Sequence, residues 1–218
     1  MIRSILLVAA IAFIQPIFAQ QQGQTANAHM NEQSFEELVK AFERADRASW
    51  QKPDEVIVAL GPIKGLRIID IGCGTGYFSF RLEQAGANVI AADVDDRFIK
   101  YVDSVRKARG ITEKNLQTRK VPADDPKLEK REVNLALLVN TYHHIENRKA
   151  YFAKVKAGLK GQGFVVIIDY FKKEMPMGPP VSMKLSAEEI IRELTLAGFS
   201  NFKVDDKMLP FQFILYAQ

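Results

Sequence analysis

Asp70 stands two residues before Gly72, and Gly72, Gly74 and Gly76 follow as G-x-G-x-G. The run Ile68-Ile69-Asp70-Ile71 is apolar and β-branched apart from its acid, and Phe78 to Gln84 is amphipathic. That order predicts a buried strand, a tight loop and a helix. Glycines there let the backbone turn with φ > 0 and let a ligand approach where any Cβ would collide. The unpaired N–H groups of the helix start add a weakly positive cradle. Such a loop holds a nucleotide-like cofactor. A dinucleotide fingerprint needs G-x-G-x-x-G with room for a pyrophosphate, and here the third glycine arrives one residue early. Asp70 would also repel a pyrophosphate, whereas it attracts an ammonium group.

A second acid narrows the chemistry. Asn88-Val89-Ile90-Ala91-Ala92-Asp93 is another apolar strand ending in aspartate, 17 residues beyond Gly76. An acid at the tip of the second strand of a doubly wound sheet accepts hydrogen bonds from ribose hydroxyls. Val94, next in the chain, is placed to lie against an adenine. Asp95 and Asp96 read more simply as a helix N-terminus, where carboxylates cap orphan N–H groups.

The run Asp70 to Gly76, with Asp93 following, resembles the first motif of the class I S-adenosylmethionine-dependent methyltransferases. The resemblance implies S-adenosylmethionine as cofactor, with Asp70 meeting its methionyl amino group and Gly72, Cys73, Gly74 and Gly76 forming the cradle. Three further segments are expected beyond the carboxyl ends of the strands, where ligands of open α/β sheets sit. The first is Val121-Pro122-Ala123-Asp124-Asp125-Pro126; in similar methyltransferases an acid here meets the adenine amino group, and Asp124 is chosen over Asp125. An Asx-turn before Pro126 is the plain alternative.

The second segment, Asn140-Thr141-Tyr142-His143-His144-Ile145-Glu146-Asn147, leaves the fourth expected strand. Asn140 is assigned to the cofactor edge, and Tyr142, His143 and His144 to the chemistry. It replaces the N-P-P-Y type motif of enzymes that methylate planar amide or base nitrogens, and resembles small-molecule C- and O-methyltransferases instead. Methyl transfer from a sulfonium is a direct displacement, so such an enzyme mainly aligns its reactants and excludes water. A hydroxyl or acidic-carbon nucleophile is helped by a base, and imidazole has a suitable pKa. Either histidine serves; His144 lies one residue deeper in the loop. A histidine packed on the cofactor or bonded to a carbonyl is the structural alternative. The third segment, Tyr170 to Leu185, carries three methionines and three prolines, a semi-rigid apolar wall suited to an acceptor.

The elements that must position these residues alternate from Leu66 onward. Strands are expected near 66–71, 88–93, 116–121, 133–139, 163–169, 201–206 and 211–217, and helices near 77–86, 95–109, 147–159 and 186–197. Alternation implies a parallel sheet with right-handed crossovers. The final strand pair has only Asp205 to Pro210 between its members and should be antiparallel. The fold class is therefore α/β, a Rossmann-like doubly wound sheet, and the resemblance implies seven strands in the order 3-2-1-4-5-7-6. Before the sheet, Ser34 to Trp50 has helical spacing with Ser34 and Glu37 as a capping box, and Pro53 to Leu60 forms a second leading helix. Trp50, the single tryptophan, reads as core filling.

Arg3, the apolar run Ile5 to Ile14 and Ile17-Phe18-Ala19 read as a signal peptide over 1–19, with a solvated linker over 20–31 and one methyltransferase domain over 32–218. The expectation is an exported, periplasmic or secreted protein without a stable membrane span, because the apolar run is too short. Cys73 is the single cysteine, which excludes an internal disulfide, a cysteine pair and a thiolate metal cluster. Three scattered histidines give no metal site. A net charge of +4, spread among both signs, does not form a nucleic-acid footprint. The expected partner is a small-molecule or lipid acceptor. Two other readings are a non-catalytic S-adenosylmethionine-binding module and a nucleotide-dependent oxidoreductase.

Overall fold

The computed structural model describes residues 33–218; the expected signal peptide and the whole of the expected linker lie outside the described residues. Three short helices lead: α1 (Phe35–Phe42), α2 (Arg47–Gln51) and α3 (Pro53–Ala59). There follow β1 (Arg67–Ile71), α4 (Tyr77–Gln84), β2 (Asn88–Asp93), α5 (Asp96–Ala108), β3 (Leu116–Lys120) and β4 (Val133–Val139). The chain ends with α6 (Arg148–Gly158), β5 (Leu159–Tyr170), α7 (Ala187–Leu196), β6 (Lys203–Asp205) and β7 (Gln212–Ala217). The seven strands form one sheet in the order β3-β2-β1-β4-β5-β7-β6. β7 runs antiparallel to both β5 and β6, and the other neighbours are parallel.

The central strands are apolar on both faces because helices cover both. On one face Ile69, Leu138, Ile167 and Leu215 pack with Phe152 and Val155 of α6 and Ile190 and Leu194 of α7. On the other, Ile68, Leu137, Ile168 and Ile214 pack with Val56 of α3, Leu82 of α4 and Val102 of α5. Each strand thus delivers alternate side chains to opposite layers, and its last residue to the edge where the connecting loops meet.

Two element bounds differ from expectation. The single helix expected over 34–50 is broken between Phe42 and Arg47. Its start keeps the capping box of Ser34 and Glu37, but the Arg47 Nη1 donates to the Phe42 carbonyl at 2.6 Å. The Arg44 guanidinium and the Asp46 carboxylate close the turn with two bonds of 2.6 and 2.7 Å. β5 begins at Leu159 rather than 163, directly after α6, and the pairing with β4 shifts register between Val133 and Leu135.

Candidate cofactor and acceptor site

At the carboxyl end of β1, Asp70 is buried and accepts from the Ser79 hydroxyl at 2.6 Å. Burial pushes its pKa up to about 6, helped by the charge of Asp93, while Ser79 and the Arg47 guanidinium oppose the rise. A carboxyl held in this state gains most from an added cation. Gly72, Gly74 and Gly76 all adopt the left-handed backbone, with φ of 72°, 53° and 80°. The loop is fastened to β2: the N–H groups of Gly72 and Cys73 both donate to the Ala92 carbonyl at 2.8 and 3.0 Å, and the Gly74 N–H donates to Asp93 Oδ2 at 2.9 Å. Asp93 Oδ1 accepts from the Asp95 N–H at 2.9 Å. Each carboxylate oxygen has a second lone pair, so the brace leaves Asp93 able to accept ribose hydroxyls. Beyond it an open groove runs between the tips of β2 and β3, lined by Val94, Lys120, Val121, Pro122 and Ala123. Val94 is 55% exposed there, an apolar surface of the kind a flat base covers. Cradle, cation-seeking carboxyl and apolar groove fit an adenosyl group carrying an amino acid.

The glycines also serve the protein's own packing. A Cβ on Gly72 would stand 2.4 Å from the Thr141 side chain, and one on Gly74 would stand 3.0 Å from the Phe42 ring. The space over Gly74 is therefore shared with α1, rather than left to a ligand alone. Phe42 stacks on Phe98 at 5.4 Å, Glu43 accepts from the Thr75 hydroxyl at 2.5 Å, and the Arg47 guanidinium lies 3.9 Å from the Tyr77 ring centre. Helices α1 and α2 thus form a cover on the loop. Cys73 is buried, and its thiol is pushed well up by that burial and by the neighbouring aspartates, which leaves it unreactive.

The segment after β4 separates its three candidates. Tyr142 is wholly buried, stacks on Phe152 at 4.9 Å and donates its hydroxyl to Glu193 of α7 at 2.7 Å. Its hydroxyl belongs to the α6–α7 layer, and the structure does not bring it to the glycine loop. His143 Nδ1 donates to Asp169 at 3.0 and 3.1 Å, and both residues are buried. Burial would raise the Asp169 pKa, but the charge and hydrogen bond of His143 and the Tyr170 N–H hold it below the ordinary carboxylate value. Whenever the ring is neutral, the bond from Nδ1 to Asp169 leaves the lone pair on Nε2. His144 is pushed down to about 3 by burial and by the charge of His143, which makes it a poor base at neutral pH. His143 is nonetheless the more buried of the two rings, and it is the one that has a carboxylate partner.

Asn140 sits in the left-handed region, φ 55°, with its N–H on the Ile168 carbonyl at 2.8 Å and its side-chain oxygen accepting from Gln212. Asp124 is exposed at the rim of the Val94 groove. Asp125 makes the turn, accepting from the Lys127 N–H at 2.7 Å and from Lys154 at 3.2 Å. The structure therefore brings Asp70, the three glycines, Asp93, Val94 and Asn140 to one sheet edge, and adds residues not singled out from the sequence: Ser79, Arg47, Thr141 and Asp169. Asp169 had a readable signal, because Val165 to Ile168 is an apolar strand ending in aspartate, just as β1 and β2 are.

Residues 69–167 match the family described as methyltransferase domain. The strand order and the glycine loop agree with that match, which spans less than half of the chain. Among relatives, the ubiquinone biosynthesis O-methyltransferase of Cereibacter sphaeroides is 30% identical over 105 residues, 48% of this chain and 41% of the relative. The ribosomal protein L11 methyltransferase of Acetivibrio thermocellus is 28% identical over 195 residues, covering 68% of this chain and 58% of the relative. The chain spans about half the length of these curated relatives. A SAM-dependent methyltransferase from Aquifex aeolicus superposes with a TM-score of 0.78 over 85% of this chain and 98% of its own, at 23% identity, a likeness of fold.

Proposed function

We propose that the protein transfers a methyl group from S-adenosylmethionine to an oxygen or acidic carbon of a small or lipophilic acceptor. The observation that carries this reading is the pairing of two buried aspartates, Asp70 and Asp93, around a left-handed glycine loop that Asp93 itself braces. When bound, the cofactor supplies an electrophilic methyl on a sulfonium. In this reading Asp70 meets the ammonium group, Asp93 the ribose hydroxyls and Val94 one face of the adenine. His143 Nε2 takes the proton that the acceptor loses, and Asp169 holds the ring and stabilises the imidazolium. Buried aromatic side chains and half-buried methionines would exclude water.

Calorimetric titration tests the reading. S-adenosylhomocysteine should bind in the micromolar range, about −8 kcal/mol, and NAD should give no heat. Preferential binding of NAD would overturn it. Export is part of the same proposal, supported by Arg3, the apolar Ile5–Ile14 run and Ala19. N-terminal sequencing of protein from its native host should begin at Gln20; a start at Met1 or Ile2 counts against export.

A further inference from the structure

Trp50 Nε1 is the one buried side-chain nitrogen or oxygen among the described residues without a hydrogen-bond partner. An indole N–H left so is costly unless something completes it. Trp50 is 8% exposed and lies 6.2 Å from the Tyr170 ring and 6.5 Å from the Phe211 ring. Both neighbours stand at the carboxyl end of the sheet, Tyr170 closing β5 and Phe211 entering β7. The methionine- and proline-rich loop lies on the same wall: a Cβ on Gly178 would fall 2.9 Å from the Tyr170 ring.

A hydrogen-bonded chain of side chains leads to this wall. Arg47 Nε donates to Gln51 Oε1 at 2.5 Å, and Gln51 Nε2 donates to Gln212 Oε1 at 3.0 Å. Gln212 Nε2 donates to Asn140 Oδ1. The Asn140 amide in turn reaches towards the Tyr170 hydroxyl and opposes the rise of its pKa, as an N–H donated to that oxygen would. These bonds run in one direction, from the cover helix α2 through β7 to the β4 exit. With an amide N–H supplied to its oxygen, Tyr170 keeps its own proton for a ligand. Burial and the charge of Asp169 push the Tyr170 hydroxyl up to about 12, so it stays a donor at neutral pH.

We infer that Trp50 N–H and Tyr170 O–H form the recognition site for an uncharged oxygen of the acceptor, a carbonyl, ether or hydroxyl on a flat apolar molecule. This rests on the methyl-transfer reading and names the acceptor class for that site. The aromatic rings match a planar body, and the two donors match an oxygen that keeps its lone pairs. Charge disfavours an anion. Of the charged groups near the wall, Arg47 is occupied by Gln51, Phe42 and Tyr77. Lys184, 5.9 Å from the Tyr170 ring, is held by the Lys173 carbonyl at 2.9 Å, and Asp169 beside Tyr170 repels a carboxylate.

Because the chain has one tryptophan, a ¹H–¹⁵N spectrum of the labelled protein shows a single indole N–H resonance. With S-adenosylhomocysteine present, 4-methoxyphenol should move that resonance downfield, and 4-methoxybenzoate should leave it in place. Trp50→Phe and Tyr170→Phe should each weaken 4-methoxyphenol binding about fivefold to tenfold by calorimetry, with S-adenosylhomocysteine affinity unchanged. A resonance that moves fully with S-adenosylhomocysteine alone would make the indole a cofactor contact and overturn the inference. So would an equal response to 4-methoxybenzoate, or unweakened phenol binding in both variants. If the indole is silent to 4-methoxyphenol while S-adenosylhomocysteine binds, only this inference fails. If S-adenosylhomocysteine does not bind the unmodified protein, the methyl-transfer reading itself fails.

Discussion

In the proposed site, Asp70 is the residue whose state is most tightly tied to the cofactor. Its folded pKa is raised to about 6 from 3.8, first by burial. A carboxyl raised in this way favours the folded state at low pH, and that contribution is lost as pH climbs through about 6. An ammonium group reverses the balance, because it binds the ionised carboxylate. S-adenosylhomocysteine affinity should therefore be flat above pH 7 and fall by up to about tenfold per unit below pH 6. Asp70→Asn should bind weakly at every pH and lose that slope, as calorimetry between pH 5 and 8 would show. The histidines separate by the same logic. His143 has a buried carboxylate on one nitrogen, whereas His144 is too weakly basic to hold a proton at neutral pH. His143→Ala should lower kcat about 10²–10⁴-fold while leaving S-adenosylhomocysteine binding in place, and His144→Ala should cost much less. Asp169→Asn should shift the pH–rate profile as well as lower the rate. Once an acceptor is in hand, steady-state kinetics decides; binding lost in step with turnover would place His143 in the cofactor pocket instead.

At the scale of elements, the strands and the four sheet-flanking helices followed from periodicity, because buried parallel strands are short apolar runs bounded by turns. The acids at the tips of β1 and β2 were legible for the same reason, and Asp169 at the tip of β5 carried the same mark. What could not be read was any contact between distant segments. Gln51 and Gln212 are separated by 161 positions, and neither lies in a pattern that periodicity detects. The break in the leading helix depends on Arg47 turning back to the Phe42 carbonyl, a choice local propensity does not dictate. That break sets α1 on the glycine loop through Phe42, with Phe35 5.2 Å from Phe98 on the same seam. A cover so placed must loosen to admit a ligand. Phe42→Ala should speed amide exchange over residues 35–43 and raise the S-adenosylhomocysteine association and dissociation rates together, with little change in affinity. Hydrogen-exchange mass spectrometry and stopped-flow measurements check both; unchanged exchange would mean that α1 is held by Leu38 and Glu43 alone.

For the whole molecule, cofactor binding at the proposed site would bridge the tips of β1, β2 and β4 and should stabilise the domain as a unit. At a hundredfold excess over Kd, S-adenosylhomocysteine should add about 2.7 kcal/mol and raise Tm by roughly 5–10 °C; NAD at equal concentration should not move it. Differential scanning fluorimetry gives the answer directly. The strand order has a different consequence, for the birth of the molecule rather than its work. β7 follows β5 and β6 in the chain yet lies between them, so β6 has no partner and β5 has one only on its β4 side until the segment Gln212–Ala217 has been made. Until then Val165, Val166, Ile167 and Ile168 present an open, wholly apolar edge. During synthesis that edge is the point at which two unfinished chains would stick to each other. A chaperone that shields nascent protein therefore has one clear place to stand, the bare flank of β5, and one clear moment to leave it, when β7 arrives.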